Sequence, residues 1–141
     1  MFTKIIFNLY LGDERDSTEL RPKMDHNDKP FLFVDARPFF NILQSDPNAE
    51  ELMINPLRAL SASLAMLVSN GVRVYIYCQA GMERSPFLTA LTLFQLGGEP
   101  RQSLEDCYQE VKRKRPETMV YQEWVEAYTH AVNDKDGSVS K

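Results

Sequence analysis

The sequence predicts a single α/β domain in which a central, mostly parallel sheet is flanked by helices. Three observations carry this prediction. Apolar runs of strand composition, Lys4–Gly12, Phe31–Ala36 and Val72–Tyr77, alternate with segments of helical periodicity. The third run is too apolar for an exposed edge and suits a sheet centre. The chain's 141 residues suffice for one well-buried core and are too few for two ordinary domains.

Taken in order, "KIIFNLYLG" reads as one strand closed by Gly12, and "FLFVDA" as a second, ended by Arg37-Pro38 because proline cannot donate to a ladder. The polar, proline-broken stretch between them has room only for a short helix or loop, with Asp13 and Asp16 as solvated turn residues. Leu57, Leu60, Leu64, Leu67 and Val68 fall on one helix face, with Asn55 as N-cap, Pro56 as first residue and Asn70-Gly71 as stop. After the strand "VRVYIY", Ser85-Pro86 offers an N-cap and first turn for "FLTALTLFQL", apolar nearly all round and therefore buried, stopped by Gly97-Gly98. Two amphipathic stripes follow: Leu104, Cys107, Tyr108 and Val111, then Tyr121, Trp124, Val125 and Tyr128. Residues 1–132 are expected to form the domain, and the polar 133–141 a frayed tail.

A chain 43% hydrophobic and 26% charged has the composition of a soluble globular protein. Its net charge of −4 argues against nonspecific nucleic-acid binding, which needs a broad positive surface. No apolar run approaches a membrane span, and acidic residues come too early for a signal peptide, so a cytoplasmic monomer with no membrane or nucleic-acid partner is expected. Cys78 and Cys107 are too few for a disulfide framework and are expected to be reduced. His26 and His130 are isolated, so neither metal nor cofactor is expected. "KRKR", Lys112–Arg115, reads as dipole compensation and solvation at a helix end.

The chemistry concentrates in "VYIYCQAGMERSP". Cys78 ends the central strand, where open α/β sheets bind ligands. A tight loop from Cys78 to Arg84 can turn successive N–H groups onto an anion, and the positive end of the next helix adds to that field. Arg84 could clamp phosphate oxygens with its planar fork. The same field would make Cys78 a thiolate able to attack phosphorus. A small buried hydrophobe at a strand end is the bland alternative for Cys78, a surface ion pair for Arg84, and helix capping for Ser85.

"YCQAGMERSP" resembles the signature loop of the cysteine-dependent protein tyrosine phosphatases, dual-specificity branch, whose pattern is His-Cys-x5-Arg-Ser/Thr. "NLYLGDERDSTEL" and "YQEVKRKRPETMVYQEWVEAY" are similar to that family's opening strand and its C-terminal helix pair. The resemblance implies a compact dual-specificity phosphatase-like sandwich and a metal-independent hydrolase for phosphorylated proteins or other phosphomonoesters. It implies Cys78 as nucleophile, Arg84 as clamp, Ser85 as the hydroxyl that helps the thiolate leave, and Gln79, Ala80, Gly81, Met82 and Glu83 as amide donors. The family's general acid would be Asp46, 32 residues before Cys78, with Asp35 in reserve. Tyr77 stands where the family usually has histidine. Glu83 is expected to turn its carboxylate away from a bound dianion, or to pair with a cation such as Arg37. The rivals are a rhodanese-like sulfurtransferase, on "LFVDARPFF", and a phosphate-binding pseudophosphatase.

Overall fold

A computed structural model describes residues 2–20, 30–40, 53–97 and 103–139, with the side chains of residues 19 and 132–139 left undescribed. Five helices and four strands occur among them: β1 (Thr3–Ile6), β2 (Leu9–Asp13), α1 (Glu14–Leu20), β3 (Phe31–Asp35), α2 (Asn55–Ser69), β4 (Arg73–Cys78), α3 (Arg84–Leu96), α4 (Leu104–Lys114) and α5 (Gln122–Val139). A short 3-10 turn, Arg37–Phe40, follows β3. The sheet order is β1-β2-β4-β3, with β4 parallel to both neighbours and β1 antiparallel at the edge. The mostly parallel sheet and the central place of β4 are as expected from the sequence.

"KIIFNLYLG" is a hairpin, not one strand. Asn8 sits at φ 69°, a left-handed conformation that asparagine tolerates better than most residues, and the chain reverses there. The reversal is anchored: the Asn8 carbonyl accepts from Val74 N–H at 2.8 Å and its Nδ2 donates to the Val68 carbonyl at 3.4 Å. Two capping expectations also change. Helix α2 is entered from a π turn through Ile54, so Asn55 is its first residue and caps nothing. Helix α3 begins at Arg84, with Glu83 before it making no side-chain cap, which leaves Ser85 inside the first turn. Asp13 is no solvated turn residue: it ends β2, and its Oδ1 accepts from Asp16 N–H at 2.7 Å.

Helix α3 is the centre of the core. Every residue from Ser85 to Leu93 is buried, among them Phe87, Leu88, Leu91 and Leu93, each fully enclosed. Such side chains contribute about 1.5–3 kcal/mol apiece, so the helix that carries the end of the loop is the most firmly held element of the fold. Leu57, Leu64 and Val68 of α2 and Leu104, Cys107, Tyr108 and Val111 of α4 pack into the same cluster, as their periodicity predicts. Helix α5 adds Val125 and Tyr128, and its backbone stays helical to Val139, well past residue 132. No described helix is long and apolar enough to cross a membrane.

The hairpin reading has a direct test. Asn8→Val should destabilise the protein by about 1–3 kcal/mol, through the left-handed φ and the lost amide contact. Asn8→Gly, which accepts that φ, should cost clearly less when both are compared by urea unfolding. Equal costs would mean that the backbone at Asn8 is not what decides the turn.

Candidate active site

Cys78 is the last residue of β4, and the loop Gln79–Glu83 returns the chain into α3. The loop encloses a cavity of about 210 Å³ lined by Cys78, Gln79, Ala80, Met82, Glu83 and Arg84. The sequence-predicted nucleophile, clamp and amide donors are therefore brought together.

The loop's shape follows from where its carbonyls go. Glu14 N–H donates to the Gln79 carbonyl at 3.4 Å, Arg115 Nε to the Gly81 carbonyl at 2.8 Å, and Met119 N–H to the Met82 carbonyl at 2.8 Å. In a planar trans peptide the next N–H points the opposite way. Drawing those three carbonyls outward therefore turns the amides of Ala80, Met82 and Glu83 to the other side of the loop. Gly81 supplies the φ of +68° that the turn requires, and a Cβ there would meet Arg115 Nη2 and the Gly12 carbonyl oxygen, each at 2.7 Å.

The thiol is 3% exposed. Burial pushes it up, but the Ser85 hydroxyl and the N–H groups of Ser85, Gly81 and Glu83 outweigh burial, and the Cys78 thiol lies below its ordinary value. Cys78 Sγ and Ser85 Oγ are 3.1 Å apart, and Ser85 Oγ is also 3.4 Å from the Gly12 carbonyl. A single hydroxyl proton can thus serve either acceptor. Turned to sulfur, it stabilises the thiolate; turned to Gly12, it leaves Ser85 Oγ free to accept from the thiol. Gly12 admits this arrangement because it lacks a side chain: a Cβ there would stand 2.0 Å from the hydroxyl of fully buried Tyr75.

Arg115 is a site residue that sequence reasoning missed. In the "KRKR" segment Lys112, Arg113 and Lys114 are exposed in the last turn of α4 as expected, but Arg115 is not. Arg115 is 2% exposed, with Nε on the Gly81 carbonyl and Nη1 donating to Thr3 Oγ1 at 3.0 Å. Lys112 Nζ donates to the Thr118 carbonyl at 2.8 Å, and Lys114 Nζ to the Ile5 carbonyl. Lys114 and Arg115 tie α4 to the hairpin and the loop, and Lys112 ties it to the segment that follows, because carbonyls there need donors.

Asp46 lies outside the described residues. Asp35 ends β3 beside Tyr77, and Arg37 grips both its carboxylate oxygens at 2.8–3.1 Å. That guanidinium, with Arg84 more distantly, holds Asp35 below the ordinary carboxylate range and so ionised, a state unsuited to donating a proton. Arg37 also reaches Glu14 at 3.1 Å, so it is not the partner of Glu83. Glu83 belongs to the cavity lining, and its Oε1 accepts from the Tyr121 hydroxyl at 3.0 Å. Tyr77 projects from the opposite face of β4 to Cys78, its ring 6.2 Å from that of Tyr75. Among the described residues no three His, Cys, Asp or Glu side chains cluster as a metal site.

Comparison with known proteins now has a fold and a loop to match. No family model and no curated sequence matches the chain. Solved structures do, over nearly their whole length. Human DUSP28 superimposes at TM-score 0.59 with 17% identity over 99% of this chain and 95% of its own. This is the dual-specificity phosphatase fold. A leucine-rich-repeat and phosphatase-domain protein from Entamoeba histolytica shares it at TM-score 0.67, with 15% identity over 99% of this chain and 96% of its own. So does a mouse protein described as a dual-specificity phosphatase and solved with zinc tungstate, at TM-score 0.65, with 19% identity over 96% and 90%.

Two measurements follow. Alkylation of Cys78 should show a midpoint below that of a free thiol, about 8.5, and Ser85→Ala should move it upward. The sign is that of a lowered acid: the thiolate is favoured in the folded state, so reactivity persists as pH falls through the unfolded value and is lost only below the folded one. Arg115→Met should raise the same midpoint and weaken phosphate binding by about 10- to 100-fold. Arg115→Lys should recover little of either, since an ammonium cannot span Gly81 and Thr3 together.

Proposed function

We propose that the protein is a cysteine-dependent phosphatase that hydrolyses phosphomonoesters, phosphotyrosine and also phosphoserine or phosphothreonine in proteins, through a phosphocysteine intermediate. The observation that carries the reading is the lowered thiol of Cys78, 3.1 Å from the Ser85 hydroxyl, at the base of a loop whose amides are turned inward.

The phosphoryl group would sit in the cavity on the amides of Gln79 to Glu83, with Arg84 spanning two equatorial oxygens. Cys78 Sγ attacks phosphorus in line, forming the S–P bond as the ester P–O bond breaks. The leaving oxygen takes a proton from an aspartic acid, assigned to Asp46. Water then attacks the thiophosphate, giving up its proton to the same carboxylate, and the S–P electron pair returns to Cys78. Ser85 donates its hydrogen to the departing thiolate, for which the alternative acceptor at Gly12 leaves it free to rotate. The chemistry needs neither metal nor cofactor, because thiolate, guanidinium and amides supply nucleophile and charge. The tungstate bound by the mouse neighbour is an oxyanion of the shape such a loop would hold.

A sulfurtransferase reading loses its ground, since the fold matched over nearly the whole chain is that of the phosphatases. The expected assay is aryl phosphate hydrolysis that persists in EDTA. Cys78→Ser should abolish it. Arg84→Lys should lower kcat/KM by about 10²- to 10⁴-fold and Asp46→Ala by about 10²-fold. Full activity in Cys78→Ser, or loss of activity on chelation, would refute the mechanism, and an unimpaired Asp46→Ala would remove that residue as acid.

A further inference from the structure

Glu83 is the only carboxylate within the loop Cys78–Arg84, and the residue belongs to the lining of the cavity. It is fixed there. Oε1 accepts from Tyr121, whose own N–H donates to the Tyr108 hydroxyl at 3.3 Å and whose ring packs on Trp124 at 4.6 Å. A negative charge is thus built into the wall of a site meant for an anion.

Among the described residues, Lys112, Lys114, Arg115 and Arg37 are engaged elsewhere. Lys112 and Arg115 are spent on the carbonyls of Thr118 and Gly81, and Lys114 on that of Ile5 and on Glu110 at 3.8 Å. Arg37 is shared by Asp35 and Glu14, so that cluster keeps one negative charge on the approach to the loop. Arg84 is the loop's only cation, and the phosphoryl group occupies it. Once phosphate is bound, a basic side chain of the substrate would supply the complementary charge.

We infer that Glu83 makes the site select phosphopeptides carrying Lys or Arg beside the phosphorylated residue, and disfavour phosphomonoesters with a second anionic group close by. The inference rests on the phosphatase reading and names its substrate class. A partly screened charge pair several ångströms apart changes affinity by a factor of a few. Exchanging an attractive for a repulsive neighbour should therefore be worth about tenfold at low salt.

The test uses two phosphotyrosine peptides identical except for Arg or Glu on both sides of the phosphorylated residue. Affinities are measured on the Cys78→Ser protein, so that they are read without turnover. The Arg peptide should bind about tenfold tighter at low salt, with the ratio shrinking as salt is raised. Adding Glu83→Gln should bring the ratio to about twofold or less, and Glu83→Asp, which keeps the charge, should retain most of it. Equal affinities, binding of neither peptide, or a ratio unchanged in Glu83→Gln would overturn the inference. So would tighter binding to phosphatidylcholine vesicles containing a phosphoinositide monophosphate than to the Arg peptide. If the affinity ratio holds but wild type hydrolyses neither peptide nor a neutral aryl phosphate, the phosphatase reading fails and the role of Glu83 in binding stands.

Discussion

The loop after β4 can aim its amides at one point only because its carbonyls are satisfied from outside. Five residues in a tight turn carry five acceptors that water would otherwise claim, and a loop free to solvate them would have no reason to keep one shape. Here the three outward carbonyls meet Glu14 from α1, Arg115 from the end of α4 and Met119 from the segment before α5. Each donor comes from an element fixed by its own packing, so the cradle inherits the rigidity of the core. The thiol at its base is lowered by the Ser85 hydroxyl and by the N–H groups of Ser85, Gly81 and Glu83, even though its burial works against ionisation.

That dependence explains why so much of the chain is organised around six residues. Gly12 must lack a side chain because Tyr75 fills the space beside it, and its carbonyl is the alternative acceptor for Ser85. The β1-β2 hairpin matters because Thr3 takes the far end of the Arg115 guanidinium. A buried guanidinium is costly to leave unpaired, so Arg115 with its partners stiffens the loop, and its charge adds to the positive field below an anion.

The centre of the site was legible in the sequence because it is contiguous. Strand, cysteine, loop, arginine and buried helix follow one another within Val74–Leu96, and local rules of strand ends and helix starts apply directly. What those rules missed is long-range. Arg115 meets Gly81 across 34 residues, and a run of four basic residues carries no mark that three of them turn back onto backbone carbonyls. Ser85 looked like a cap since Ser-Pro is a good helix opening; the helix starts two residues earlier because the loop itself carries the chain into it. The hairpin was hidden for another reason. Phe7-Asn8 lacks the glycine that usually announces a two-residue turn, and apolar residues flank it on both sides. Asp46 rests on the family's upstream aspartate, on its spacing to Cys78 and on the helix and strand expected between them, and lies outside the described residues.

The claim on which everything else stands is that the loop holds a phosphoryl group directly on sulfur. It is tested by quenching the protein in acid during turnover of an aryl phosphate and mapping the modified residue by mass spectrometry. The expected result is phosphate on Cys78, stable to acid, accumulating further in Ser85→Ala as breakdown of the thiophosphate slows, and absent from Cys78→Ser. Phosphate on another residue, or turnover with no covalent species in Ser85→Ala, would contradict it.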